Sequence, residues 1–218
     1  MGNHHAREHV SAEMPLMLLQ YLVKNYGTDA EITRLVDSRD LYIIPMVNPD
    51  GVEYDISGGR YHMQRKNMRK NNGGTTGVDL NRNYGFMWGT GGSSKDGSSD
   101  VYMGPKPFSE PETAAIRDFV DSHPNLKVLL SYHTYSELIL YPWGHKYDAI
   151  SDEKDLKTFS AMATKMAEWN NYKPQQSSDL YIASGDTTDW AYGTHKIFAF
   201  TFELSPSSQW GGGFYPGQ

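Results

Sequence analysis

The chain has 218 residues, 38% hydrophobic and 13% aromatic, with no cysteine and a net charge of −6. That is enough apolar material for one folded domain and argues against intrinsic disorder, and no apolar run reaches the ~18 residues of a membrane span. The acidic balance excludes a duplex-binding surface, and any metal chemistry must fall to histidine and carboxylates.

Apolar residues at mixed three and four spacing, from Met14 to Val23, predict a helix over 12–26 with a stop at Gly27. A second, short helix is expected over 29–36, then a buried strand over 41–47 ended by a turn at Asn48, Pro49, Asp50 and Gly51. Residues 57–109 are rich in Gly, Ser and Asn and are expected to form long loops, which often carry function. A helix over 109–122, a strand over 126–133, a longer helix over 152–170 and a strand over 197–204 follow, with Ile197, Ala199, Thr201 and Glu203 on one face. Helices alternating with buried strands predict an α/β fold with a mixed, mostly parallel central sheet and helices on both faces. No charged segment followed by an apolar one opens the chain, so no signal peptide is readable.

His5 and Glu8 stand at i, i+3 and can converge on one zinc ion, for which His133, at a strand's carboxyl end, is the expected third ligand. Glu203 ends the other apolar strand, as a general base or as a surface residue just past it. Asn81 and Arg82, side by side after a Gly-rich loop, form a ready carboxylate clamp. Taken alone, the His-rich start reads equally well as a solvated stretch. Arg65, Arg69 and Arg82 can be solvated, and His62, His123, His145 and His195 lie in polar surroundings that suit surface residues.

Together these segments resemble the zinc metallocarboxypeptidases of the carboxypeptidase A type, and bacterial carboxypeptidase T in particular. The likeness is carried, in the family's order, by His5-Ala6-Arg7-Glu8, Asn48-Pro49-Asp50-Gly51, Gln64-Arg65-Lys66, residues 78–83, residues 131–136, residues 180–185 and Thr201-Phe202-Glu203-Leu204. It implies one Zn2+ per chain on His5, Glu8 and His133, with Asp79 fixing the His5 tautomer. Glu203 is then the base and Arg65 the stabiliser of the developing oxyanion. Asn81, Arg82 and Tyr181 grip the terminal carboxylate of a peptide, with Arg7 as an accessory anion contact and Tyr135 as a further substrate contact. Alignment to the family places Thr188 and Asp186 at the floor of the specificity pocket and Phe214 as an apolar wall, which implies broad use of apolar and basic C-terminal residues. The implied partners are peptide and protein C-termini, with neither nucleic acid nor membrane, and a propeptide outside this sequence; secretion is implied by resemblance alone. A structural Ca2+ ion is not readable from the sequence. Gln64 and Thr134 depart from the family's usual residues without removing a reacting group.

Two other readings stand beside this one. His5-Ala6-Arg7-Glu8-His9 also matches the inverted zincin motif, in which His5 and His9 bind zinc and Glu8 is the base of an endopeptidase. A catalytically inactive module of the same fold would recognise peptide termini without cleaving them. Family members carry strands before the zinc pair and a helix near the C-terminus, so residues 1–218 are expected to form a catalytic domain that is partial relative to the family. Met1 to His4 are expected to be too short to supply the central strand, leaving an incomplete sheet, unpaired edges and a less rigid zinc site.

Overall fold

A computed structural model describes residues 1–217. The helices are α1 (His9–Asn25), α2 (Ala30–Ser38), α3 (Pro49–Asp55), α4 (Pro111–Ser122), α5 (Glu153–Asn170) and α6 (Thr187–His195). Strands β1 (Val128–Thr134), β2 (Leu138–Tyr141), β3 (Lys173–Gln176) and β4 (Phe198–Leu204) form one sheet in the order β1-β4-β2-β3. The β1/β4 and β2/β3 pairs are parallel and β2/β4 is antiparallel, which gives the mixed, mostly parallel sheet expected from the sequence.

Caps explain where several helices begin. Asp29 accepts from the N–H groups of Glu31 and Ile32 at the start of α2, and Asp152 does the same for Lys154 and Asp155 in α5. Residues 48–51 are not a turn, as expected, but a helix start: Asn48 accepts from Gly51 N and Pro49 takes the first helical position, where its missing N–H costs nothing. In α4 the cap position belongs to Glu110 rather than Ser109, whose hydroxyl donates to the Glu110 carboxylate. Residues 57–109 are loops interrupted only by short 3-10 turns at Ser57–Gly59 and Leu80–Arg82.

Residues 41–47 form no strand, and Leu41, Tyr42 and Met46 are each more than 40% exposed. Their partner in the sheet is a short one. The amino group of Met1 donates to Leu130 O and Tyr132 N to Met1 O. On the other side Gly2 N donates to Ile44 O, Val47 N to Gly2 O and Asn48 N to Asn3 O. Met1 to Asn3 therefore tie 44–48 to β1 through a single parallel bridge, Gly2 with Tyr132. Met1 to His4 thus form no strand, as their shortness leads one to expect, and supply one bridge. Gly2 is required there, since a Cβ would lie 1.8 Å from Ser11 O at the start of α1.

Alternation along β1 and β4 feeds two cores. Leu129 and Ala199 join Leu80, Tyr84, Ile116, Val120 and Trp190 beneath α4 and α6, while Tyr132, Phe200, Phe202 and Leu204 pack with Phe159 and Ala163 of α5 and with Val10 and Met14 of α1. Both faces are covered. His133 and Glu203 are Cα partners in the parallel β1/β4 ladder, and so stand side by side at the carboxyl ends of adjacent strands.

Candidate active site

The loop before α1 folds His5 and Glu8 back toward the end of β1. His5 Nδ1 lies 2.8 Å from Glu8 Oε1, His133 Nδ1 lies 2.9 Å from Glu8 Oε2, and the two Nδ1 atoms are 3.2 Å apart. All three residues are buried, and their ligand atoms lie within 4.8 Å of one another. No other such group of His and acidic residues occurs among the described residues. Asp79 stands 3.1 Å from His5 Nε2 and accepts two bonds from Arg65, at 3.0 and 2.9 Å. Burial opposes the Asp79 charge, but Arg65 and His5 more than offset it and hold its carboxyl well below the usual range. An ionised Asp79 draws the His5 proton to Nε2, so Nδ1 presents a lone pair to the Glu8 carboxylate. Two acceptors at 2.8 Å repel unless a proton or a metal cation joins them, and two imidazoles with a carboxylate are a donor set that suits tetrahedral zinc. Burial also lowers the His133 pKa, against the pull of Glu8, and favours the neutral imidazole a metal requires.

Glu203 shares this wall. Its carboxyl is raised well above the ordinary range, first by burial and then by the charge of Glu8, with Arg65 and Arg82 opposing. Asn81, Arg82, Tyr181, Asp186, Thr188, Thr201 and Glu203 line a narrow cavity of ≈ 30 Å3. Arg82 is buried, donates Nε to Gly92 O and Nη1 to Asn81 O, and lies 5.7 Å from the Tyr181 ring; among the described residues it has no ion pair. Gly185, at φ +71°, presses the Tyr181 loop onto this segment, since a Cβ would come 2.6 Å from Arg82 O. Asp186 caps α6 with Oδ1, while its buried Oδ2 has no partner. Its pKa is pushed up to about 7, first by burial and then by Asp189.

Other expected residues fall elsewhere. Phe214 does not line this cavity; it packs at 4.9 Å against Tyr135 and at 4.3 Å under the guanidinium of Arg7. Arg7 donates to Met63 O and lies 3.9 Å from Asp100, on the rim. His9 is not with the ligands: its Nε2 is 2.8 Å from Asp55, and α1 begins only at His9, so no helix carries both His5 and His9 as an inverted zincin requires. Arg65 and Arg82 are not solvated, and Arg69 is tied to the buried Glu110 at 2.7 Å. His145 is not a surface residue, because its Nδ1 lies 2.6 Å from buried Asp189. Two contributors were not singled out from sequence. His4 is buried and stacks on His133 at 5.5 Å, and Gly144 leaves room for the Asp186 carboxylate. Only the neighbourhood of His5 hinted at the first, and nothing local marked the second.

The profile of the peptidase M14 family, described as zinc carboxypeptidase, matches residues 1–218. A zinc carboxypeptidase of Saccharothrix mutabilis subsp. capreolus is 44% identical over 98% of this chain and 51% of its own length. Carboxypeptidase A2 of Rattus norvegicus is 37% identical over 95% and 50%. Among solved structures, thrombin activatable fibrinolysis inhibitor superposes with a TM-score of 0.87 at 32% identity, covering 97% of this chain and 54% of that one. Carboxypeptidase A from Helicoverpa armigera superposes with a TM-score of 0.83 at 30% identity, covering 95% and 52%. The chain spans about half the length of the curated relatives it matches. Profile, relatives and fold agree with the buried His5, Glu8 and His133 cluster, and the chain belongs to the zinc carboxypeptidase family.

Proposed function

We propose that this chain acts as a zinc-dependent exopeptidase that hydrolyses the last peptide bond of peptides and proteins, releasing single C-terminal amino acids. The observation that carries the reading is a buried cation with no ion pair among the described residues: Arg82 faces a cavity shared with Asn81, Tyr181 and Glu203, beside the His5, Glu8 and His133 cluster. A free terminal carboxylate supplies the missing charge, and charge-assisted bonds to Arg82 and Asn81 place the adjoining peptide bond over the wall that Glu203 and His133 share. His5, Glu8 and His133 would hold a zinc ion, which would supply Lewis acidity and make water acidic enough to give hydroxide near neutral pH. Glu203 takes the proton of the attacking water and returns it to the departing amine. Arg65 spends Nε–H and one Nη2–H on Asp79, so its remaining Nη N–H groups are the donors left for the developing oxyanion.

Asp186 and Thr188 at the cavity floor support use of both apolar and basic C-terminal residues. Extracellular action and a propeptide outside this sequence belong to the same reading and are checked by the fate of the full-length product in its host. Among the described residues no helix is long and apolar enough to cross a membrane. The test compares a blocked dipeptide with its C-terminal amide, following both hydrolysis and binding. Rapid cleavage of the acid and poor cleavage of the amide are expected. Equal cleavage of both overturns the clamp, and binding without turnover by metal-loaded protein favours the inactive module.

A further inference from the structure

Asn81 can help to grip a carboxylate only if its amide presents NH2 to the cavity, and the side chain alone does not fix which way round it sits. The structure fixes it from α6. Thr187 N lies 3.0 Å from Asn81 Oδ1, and Thr187 Oγ1 lies 2.9 Å from the same atom. A backbone N–H can only donate, so the atom it meets is the carbonyl oxygen, and the two N–H groups of Nδ2 point away from the helix start. This N–H is free for the task because first-turn amides of a helix have no intrahelical acceptor. The hydroxyl adds a second donor to the same oxygen. On its other side the hydroxyl meets His4, whose Nε2 stands 3.1 Å from Thr187 Oγ1 and 2.8 Å from the Tyr84 hydroxyl. Rotating the amide would set NH2 against two donors.

We propose that Thr187 is a positioning residue for the carboxylate clamp: its backbone N–H sets which way round the Asn81 amide sits, and its hydroxyl holds that amide in place with Nδ2 offered to an anion. The inference rests on the reading that this cavity takes a peptide's terminal carboxylate. One short helix start then serves two sides of the cavity, with Asp186 turned to the substrate side chain and Thr187 to the carboxylate.

The test is a cycle of Thr187→Val, Thr187→Ser, Asn81→Ala and the Asn81→Ala/Thr187→Val double variant in the zinc-loaded protein. Calorimetry reads the Kd of N-acetyl-leucine against N-acetyl-leucinamide, and kinetics on a blocked dipeptide separate KM from kcat. Thr187→Val is expected to weaken N-acetyl-leucine binding and raise KM by about five- to tenfold, as for one lost hydrogen bond, with the change falling on KM rather than kcat. Thr187→Ser should restore both, and the valine change should add nothing once Asn81 is alanine. An equal loss from valine in the Asn81→Ala background, or an unchanged Kd in Thr187→Val while Asn81→Ala weakens binding, overturns the inference and leaves the clamp standing. An unchanged Kd in Asn81→Ala overturns the clamp, and the inference with it. Should the valine variant fail to fold, Thr187→Ala takes its place in the same cycle.

Discussion

Glu203 is a carboxyl whose surroundings oppose its charge, burial first and Glu8 second, so it holds its proton to a higher pH than an ordinary glutamate. A base must be ionised to act, and kcat/KM should therefore climb with pH through this raised pKa. Glu203→Gln keeps the shape without the proton acceptor. It should bind N-acetyl-leucine normally in calorimetry while losing about 10²–10⁴-fold in kcat, and near-normal turnover would remove Glu203 from its role. Asp186 titrates where it can be seen, at about 7 against an ordinary 3.8. A basic C-terminal side chain gains a partner only when this carboxylate is charged, so the ratio of kcat/KM for C-terminal Arg over Leu should rise as pH passes 7. Titration of Glu203 cancels in that ratio, and Asp186→Asn should flatten it. The sign for stability is the opposite one: a raised carboxyl pKa favours the protonated fold, so its contribution is complete below about pH 4 and is lost as pH rises through 7. Denaturant midpoints should fall less over that range in Asp186→Asn. The ligand pair was legible in the sequence because His5 and Glu8 are three residues apart and share one local turn. The cavity wall was not, since Gly144 is brought to it and Phe214 is held away from it by contacts between segments far apart in the chain.

At the scale of elements, the parallel register of β1 and β4 sets His133 beside Glu203; two apolar strand patterns in the sequence placed each residue at a strand end, but not the pairing that brings them together. Polar or short elements escaped. β3 reads Lys-Pro-Gln-Gln and has no apolar alternation, so only its pairing with β2 makes it a strand. Residues 41–47 err the other way: their β-rich composition is clear, but a strand needs a neighbour along its length, and Gly2 gives them only two backbone hydrogen bonds, at Ile44 O and Val47 N. Between these elements Asp55, at the end of α3, acts as a hub. It is fully buried and accepts from Gln64 N at 2.7 Å and from the Tyr215 hydroxyl at 3.0 Å, and it stands 2.8 Å from His9 Nε2. It thereby joins the start of α1, the segment before Arg65 and the C-terminal stretch that carries Phe214. Asp55→Ala leaves these donors without an acceptor and should cost about 1–3 kcal/mol in urea unfolding. A loss below a few tenths would show that the three segments hold without it.

For the molecule as a whole, the metal cluster and the sheet edge pull stability in opposite directions. His5, Glu8, His133, Asp79 and Arg65 are gathered in one buried polar centre, so an ion that binds the folded chain alone stabilises it by mass action. Chelation should lower Tm by about 10 °C, with full recovery on adding zinc, and an unchanged Tm would separate the cluster from metal binding. The opposite edge of β1 is less well provided. A groove of ≈ 230 Å3 opens above Met1, lined by Leu22, Leu41, Tyr42, Val128 and Leu130 among others. Among the described residues no backbone hydrogen bond engages residues 41–43. Apolar side chains beside unpaired backbone groups are the ingredients of strand-to-strand association, and Pro15, Leu18 and Leu22 of α1 line the same groove. The chain of these 218 residues should therefore self-associate as concentration rises, read as a growing mean mass in sedimentation velocity. Val128→Lys places a charge on this edge, away from the ligands, and should shift the distribution back toward monomer without altering zinc content. A wild-type chain that stays monodisperse, or a lysine variant that associates as readily, would locate the sticky surface elsewhere.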